Sequence, residues 1–274
     1  MAKKKLSVEK KYMLYEIAVQ SPDDLIDKFE CMYKNENKRP ARLLREDFCG
    51  TFQLSCEWAK RHPDNKVIAL DLDPEPVEFG KKHNLSKLTE AEQENIELRL
   101  DDVRIPSTPH ADISIACNFS FFIFKDREKL TEYFKAVYES LAEDGILILE
   151  TIGGPNFINA PFTEERKCSL KNGLIKKKFT YYWEHRYFNP ITHDGTYAIH
   201  FKYKDKKYED VFVYDWRIWS IPEIKECMLD AGFKDCLIYW DETDEDGDFT
   251  GTFSVVDEAI NDDTWISYAV GIKK

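Results

Sequence analysis

What this sequence of 274 residues lacks already excludes several kinds of protein. It has no paired-cysteine motif. Its seven cysteines, at 31, 49, 56, 117, 168, 227 and 236, are odd in number, scattered and without a C-x-x-C. That fits neither a disulfide framework nor a zinc knuckle, and a reducing, cytoplasmic setting is expected. It has no long apolar run: ADISIACNFSFFIF is the most apolar stretch, too short and polar for the ~18–20 residues a spanning helix needs, so a soluble protein is expected. It has no basic excess, since 51 acidic side chains against 39 basic ones leave −12. A surface of that sign repels phosphate backbones and anionic headgroups, so neither nucleic acid nor membrane is an expected partner. The basic opening MAKKKLSVEKK is followed by polar residues where a signal peptide has its apolar segment, so no secretion signal is expected. No segment repeats at a 20–50 residue period and no tract is rich in Pro, Ser or Gln, which excludes a solenoid and a long linker.

What is present suits a folded α/β protein: 43% apolar and 14% aromatic residues, in a chain long enough for one α/β domain plus an insertion. Two amphipathic helices come first, the second opened by Ser21-Pro22-Asp23-Asp24, which supplies an N-cap, a first-turn proline and acidic dipole partners. From residue 42, ARLLREDF, TFQLSCEWAKRH, KVIALDLD and PEPVEFGKKHN alternate strand with helix. IELRL, DISIACNF, a long helix after Lys125 and GILILET continue the pattern, which implies a parallel sheet covered on both faces. Residues 155–216 break it with FTYYWEHRYFNPI, TYAIHFKY and YEDVFVYDWRIW, an antiparallel meander read as an inserted cap. Ser220-Ile221-Pro222-Glu223 is a capping box, and Ala231-Gly232 a helix stop. Two strands, DCLIYWDE and WISYAVGIKK, end the chain around an acidic loop. The expected division is N-terminal lid helices over 1–40, a core over 41–154 and 217–274, and the cap over 155–216.

Three candidate ligand sites fall at strand ends. In LLREDFCGTF a strand runs into a helix through Phe48-Cys49-Gly50-Thr51, where free N–H groups and a helix N-terminus face a ligand and glycine permits close approach. Phe48 and Phe52 stand where a G-x-G-x-G pattern has its first and third glycines. Asp71 closes the second strand about 20 residues past Gly50, with Leu72 beside it, where a carboxylate can accept ribose hydroxyls. Asp102 closes the third, placed to accept an adenine amine while Val103 donates from its backbone. The plain alternatives are an ordinary strand-to-helix turn and solvated strand ends.

Together these segments resemble the class I S-adenosylmethionine-dependent methyltransferases. REDFCGT resembles the family's first motif, ALDLDP its ribose-binding motif and LDDV its adenine-side motif. GILILET, WSIPEIKECMLDAGF and the terminal strands resemble its last third, and Y-x-x-A-V-Q (Tyr15 to Gln20) with LREDFCGT is similar to a bacterial methyltransferase-like group. The resemblance implies a Rossmann-like seven-stranded sheet, S-adenosyl-L-methionine as cofactor, and direct methyl transfer without metal to an unidentified small-molecule acceptor. It implies Glu46 at the methionine ammonium, Phe48, Cys49, Gly50 and Thr51 as the loop, Asp71 and Leu72 at the ribose, Asp102 and Val103 at the adenine, and Asn118 and Phe119 beside the methyl group. Tyr12, Tyr15 and Gln20 are candidate lid residues. An NAD-type oxidoreductase and a non-catalytic binder of the same cofactor are the rivals. Against the first, a carboxylate at Glu46 and the missing G-x-G-x-x-G suit a cationic, phosphate-free cofactor.

Asn118-Phe119-Ser120-Phe121 occupies the place where amino-methyltransferases of the superfamily carry Asn-Pro-Pro-aromatic, though both prolines are absent. The resemblance makes Asn118 a candidate catalytic residue whose side-chain oxygen, with a backbone carbonyl, could hold an amine with its lone pair on the methyl; the plain alternative is a loop that lines the cofactor. In the cap, Tyr182, Trp183, Tyr187, Tyr214 and Trp216 accompany Arg186 and the histidines 185, 193 and 200. No tight ligand spacing makes those histidines a metal site, whereas His185 or His200 is a candidate general base toward a hydroxyl. The loop DETDEDGD begins like a calcium-binding EF-hand, but position twelve is Phe253 and no helix precedes it, so it reads as a solvated loop that would favour a cationic acceptor.

Overall fold

The alternating segments assemble as one sheet in the computed structural model, which describes residues 5–169, 178–244 and 249–274. Helices α1 (Val8–Val19) and α2 (Pro22–Glu36) come first. The repeating unit follows: β1 (Leu43–Asp47), α3 (Gln53–Arg61), β2 (Lys66–Leu70), α4 (Pro74–His83), α5 (Glu90–Glu94), β3 (Ile96–Arg99), β4 (Ala111–Ala116), α6 (Arg127–Ser140) and β5 (Leu141–Gly153). After the short α7 (Pro155–Ile158) come β6 (Phe162–Cys168), β7 (Phe179–Phe188), β8 (Asp194–Tyr203) and β9 (Lys206–Arg217), then α8 (Ile221–Asp230), β10 (Asp235–Thr243), β11 (Phe249–Val255) and β12 (Trp265–Ile272).

The large sheet runs β11-β10-β12-β5-β4-β1-β2-β3. Strands β1 to β5 are parallel, and β12 lies antiparallel between β5 and β10. Strand residues alternate between two cores, Ile113, Ile115, Ile146 and Ile148 facing α2 and α3, and Leu147 and Leu149 facing α6 and α8. Order reverses between β1 and β4, which opens a crevice at their carboxyl ends.

Three features depart from the sequence expectation. The sheet has eight strands rather than seven, because FTGTFSV pairs antiparallel with β10 where a loop was expected. The four acidic-loop residues 245–248 lie outside the described residues. The insertion has four strands, since FTEERKC pairs with β7; it is exposed between its half-buried ends Phe162 and Cys168 and carries no apolar alternation to betray a strand. Finally, α2 is a core helix rather than a lid: Ile26, Phe29, Met32 and Tyr33 bury one stripe against the sheet, and the Ser21 side chain makes no capping bond. Helix α1 lies between α4 and the small sheet. Its Leu14 and Ala18 pack on Phe179, Tyr181, Ile199 and Phe201 of the small sheet. Lys11 and Tyr12 bind Glu75 at 2.7 and 2.9 Å, which ties α1 to α4. Among the described residues no helix is long and apolar enough to cross a membrane.

Candidate cofactor site and acceptor cavity

The turn after β1 keeps a glycine-loop backbone without the glycines. Phe48, Gly50 and Phe52 all have left-handed φ, of 55°, 53° and 45°. Only Gly50 adopts this freely; the two phenylalanines cost of the order of 1–2 kcal/mol each, which their packing must offset. Phe52 is fully buried against Gly80 of α4, whose missing side chain leaves the ring its space. Phe48 packs on Phe124 and Tyr133. A Cβ built on Gly50 meets nothing within 4 Å, so the turn is open where a ligand would approach.

Because Phe52 occupies the N-cap position of α3 and has no hydrogen-bonding side chain, another group must satisfy the first turn. Glu46 does so: its Oε2 accepts the Ser55 amide at 2.9 Å and the Ser55 hydroxyl as well. Oε1 has no hydrogen-bond partner among the described residues. Burial pushes the Glu46 carboxyl up to about 8, and the nearby charges of Asp71 and Asp47 add to the effect.

Asp71 sits across the same turn. Its Oδ2 accepts the Gly50 amide at 2.7 Å and its Oδ1 the Asp73 amide at 2.8 Å. Each oxygen keeps a second lone pair for an outside donor. Leu72 next to it is 68% exposed, an apolar surface beside the crevice. Asp102 is largely occupied: Arg104 donates its amide and Nε to Oδ1 at 2.9 and 3.1 Å and Nη2 to Oδ2 at 2.7 Å. The Val103 carbonyl accepts from the buried Arg45 at 2.6 Å.

A cavity of about 1060 Å³ opens between the end of α1, the ends of β4 and β5, and the small sheet, and none of the turn residues 48–51 lines it. Tyr15, Asn118, Phe119, Trp183, Tyr214 and Trp216 are among its lining residues, with Tyr15 and Tyr214 packed in one cluster and the Phe119 ring edge-on to Trp216 at 6.4 Å. Asn118 and Phe119 are both left-handed, with φ of 54° and 58°. The Asn118 amide donates to Glu150 Oε2 at 2.6 Å.

No family model matches the chain, nor does any curated protein. Solved structures do match, over nearly the whole chain. One is an S-adenosylmethionine-dependent methyltransferase from Clostridium acetobutylicum ATCC 824, with 18% identity, 97% of this chain and 98% of that one covered, and a TM-score of 0.65. Another is CalS10, an amino pentose methyltransferase from Micromonospora echinaspora with S-adenosylmethionine bound, at 14% identity, 97% and 99% coverage and 0.66. DesVI of Streptomyces venezuelae gives 13%, 99% and 100%, and 0.69. The fold is that of the S-adenosylmethionine-dependent methyltransferases.

Within this methyltransferase fold, the crevice gathers Glu46, Phe48, Cys49, Gly50, Thr51 and Asp71 around one turn, and Tyr15, Asn118 and Phe119 border the adjoining cavity. The two candidate bases are elsewhere. His200 leaves the outer face of β8: its Nδ1 accepts the Asp210 amide at 2.8 Å and its Nε2 lies 3.0 Å from Glu184. Alternation along the strand turns it away from Ile199, which lines the cavity, so it is removed from the candidate bases. His185 is one layer behind the wall, enclosed by Phe157, Phe162, Trp183 and Tyr197, with Nδ1 at 3.1 Å from the Asn156 carbonyl. Desolvation lowers its pKa and keeps the ring neutral. Glu150 is not among the residues expected from the sequence, although a lone carboxylate near the end of the apolar run GILILET carries the same signal as Asp71 closing VIALDLD.

Proposed function

We propose that the protein is an S-adenosylmethionine-dependent methyltransferase acting on a small-molecule acceptor. One observation carries the reading: at the strand-order reversal, a left-handed turn open above Gly50 is hydrogen-bonded to Asp71 on one side and has Glu46 on the other. The residues fit the group. Glu46 would hold the methionine ammonium through its free Oε1, the turn 48–51 would lie along the amino-acid moiety, Asp71 would take the ribose hydroxyls and Leu72 would cover the adenine. Asp102 retains one uncommitted lone pair on Oδ2 for the adenine side. Bound there, the cofactor supplies an electrophilic methyl carbon on a sulfonium.

The chain's part is then alignment and exclusion of water. Helix α1, fastened to α4 through Lys11 and Tyr12 and to the small sheet through Leu14 and Ala18, closes the crevice from above. Asn118 and Phe119 separate the turn from the cavity in which an acceptor would lie. The structural neighbour CalS10, an amino pentose methyltransferase, supports an acceptor of that size. Thermal-shift measurements test the reading. S-adenosylmethionine and S-adenosylhomocysteine should stabilise the protein, by about 2.7 kcal/mol at a hundredfold excess over Kd, and NADH should not. Stabilisation by NADH alone would replace it with an oxidoreductase.

A further inference from the structure

A second buried carboxylate, Glu150 of β5, lines the cavity. Glu46 registers with Ile115 of β4, and Ile115 with Ile148 of β5. Glu150 lies two residues beyond Ile148 and therefore leaves the same face of the sheet. Two strand spacings and two residues of rise put it about 10 Å sideways and ~7 Å nearer the open edge than Glu46. Cys117, beside it at the end of β4, feels both carboxylates. Glu150 Oε2 is taken by the Asn118 amide, while Oε1 has no hydrogen-bond partner among the described residues.

Resting on the methyltransferase reading above, we infer that the acceptor is an aliphatic amine, received as its ammonium by Glu150, which takes one proton and leaves the neutral nitrogen facing the methyl group. The walls suit a cation: Tyr15, Trp183, Tyr214 and Trp216 line the cavity with aromatic surface. Gln20 Oε1, buried at the same cavity without a partner, is a further acceptor waiting for an N–H. Glu150, Glu164, Asp262 and Asp263 line it against Arg166 and Lys167, and Arg166 is committed to the Ala18 carbonyl. Burial raises the Glu150 carboxyl above the ordinary carboxylate range, which makes it a better base. A hydroxyl acceptor would need a stronger base, and among the described residues no histidine lines the cavity.

The step balances. The ammonium gives a proton to Glu150. The nitrogen lone pair forms the N–C bond as the C–S bond breaks, and that electron pair returns to sulfur, leaving a neutral thioether and a methylated ammonium. Glu150 passes its proton to water as the product leaves.

Two measurements test this separately. Calorimetry with S-adenosylhomocysteine, without acceptor, is run on the wild type and on Glu150→Gln. Methyl-labelled S-adenosylmethionine is then offered with tyramine, benzylamine or glucosamine, each beside its hydroxyl counterpart tyrosol, benzyl alcohol or glucose. The expected result is label on an amine nitrogen, cofactor affinity within about threefold in Glu150→Gln, and a kcat loss there of about 10²–10⁴. The residual rate of the variant should climb with pH toward the amine's own pKa, whereas the wild type should climb less. The groups facing Glu150 are Tyr15, Cys117 and Tyr268, all held neutral by burial, and Lys28 as the opposing charge. Labelling of hydroxyls only, or of no amine by protein that binds S-adenosylhomocysteine, overturns the amine; undiminished turnover in Glu150→Gln overturns the role of Glu150. Failure of the wild type to bind S-adenosylhomocysteine overturns the cofactor reading itself.

Discussion

The Asp71 carboxylate accepts the Gly50 amide at 2.7 Å, so the residue expected to hold a ribose also fixes the turn expected to hold the methionine end. Replacing it by alanine removes two lone pairs and loosens the turn. Affinity for S-adenosylhomocysteine should fall by ~1.5–3 kcal/mol, about 10- to 150-fold, the range of a charge-assisted hydrogen bond. Asp71→Asn, which can still accept the Gly50 amide, should lose less. Calorimetry on both variants, with circular dichroism as a folding control, checks the order; equal affinity in all three proteins would remove Asp71 from the site.

A carboxyl that titrates near 8 makes cofactor binding depend on pH. At pH 7 the free protein holds Glu46 mostly protonated, while an ammonium partner favours the ionised form, so binding should expel a proton. Affinity should therefore rise from pH 6 toward 8 and fall again above, where the cofactor's own α-ammonium loses its proton. Titrations in two buffers of different ionisation heat would measure the released proton. Stability has the opposite sign: between its ordinary 4.5 and about 8, the folded state binds more protons than the unfolded one, so Glu46 weakens the free protein as pH rises through that window. Glu46→Gln, which retains an acceptor for Ser55, should flatten both trends.

The parallel sheet was legible because its strands are short apolar runs between amphipathic helices, and Asp71 because a carboxylate ended one of them. The loop was legible by position rather than composition: Phe48 and Phe52 hide two of the three left-handed sites that glycine would have announced. Strand β11 and strand β6 were not legible, since FTGTFSV and FTEERKC are largely exposed and only a few side chains, such as Phe253 and Phe162, pack inward. Nor could the sequence say which side of β8 faces the cavity, because shifting the register by one residue exchanges His200 with Ile199.

Gly80 and Phe52 compensate each other, and the compensation can be broken from either side. A Cβ at residue 80 would collide with the Phe52 ring and lie 2.5 Å from the Thr51 carbonyl oxygen. Gly80→Ala, on an exposed helix normally neutral or favourable, should instead destabilise by about 1–3 kcal/mol through overpacking. Adding Phe52→Gly should remove the ring's share of the clash and leave the Thr51 carbonyl's, so the pair should be less than additive in urea denaturation. Additive losses would mean that the ring and Gly80 do not touch.

Arg45 offers the sharpest test of how β1 supports the crevice. It is fully buried in a central strand, a place where apolar residues are the rule, and it donates to Asp47, Ser107, Ser140 and the Val103 carbonyl at 2.6–2.9 Å. Asp47 is completed by the Tyr133 hydroxyl at 2.9 Å. Arg45→Met leaves a buried carboxylate unpaired, so it should cost about 3–5 kcal/mol, whereas Arg45→Met with Asp47→Leu should cost less than Arg45→Met alone. The Val103 bond adds a second readout. If Arg45 holds the adenine-side loop as well as the core, the double variant should recover stability yet still bind S-adenosylhomocysteine several-fold more weakly than the wild type. Recovery of both together would confine the network to stability.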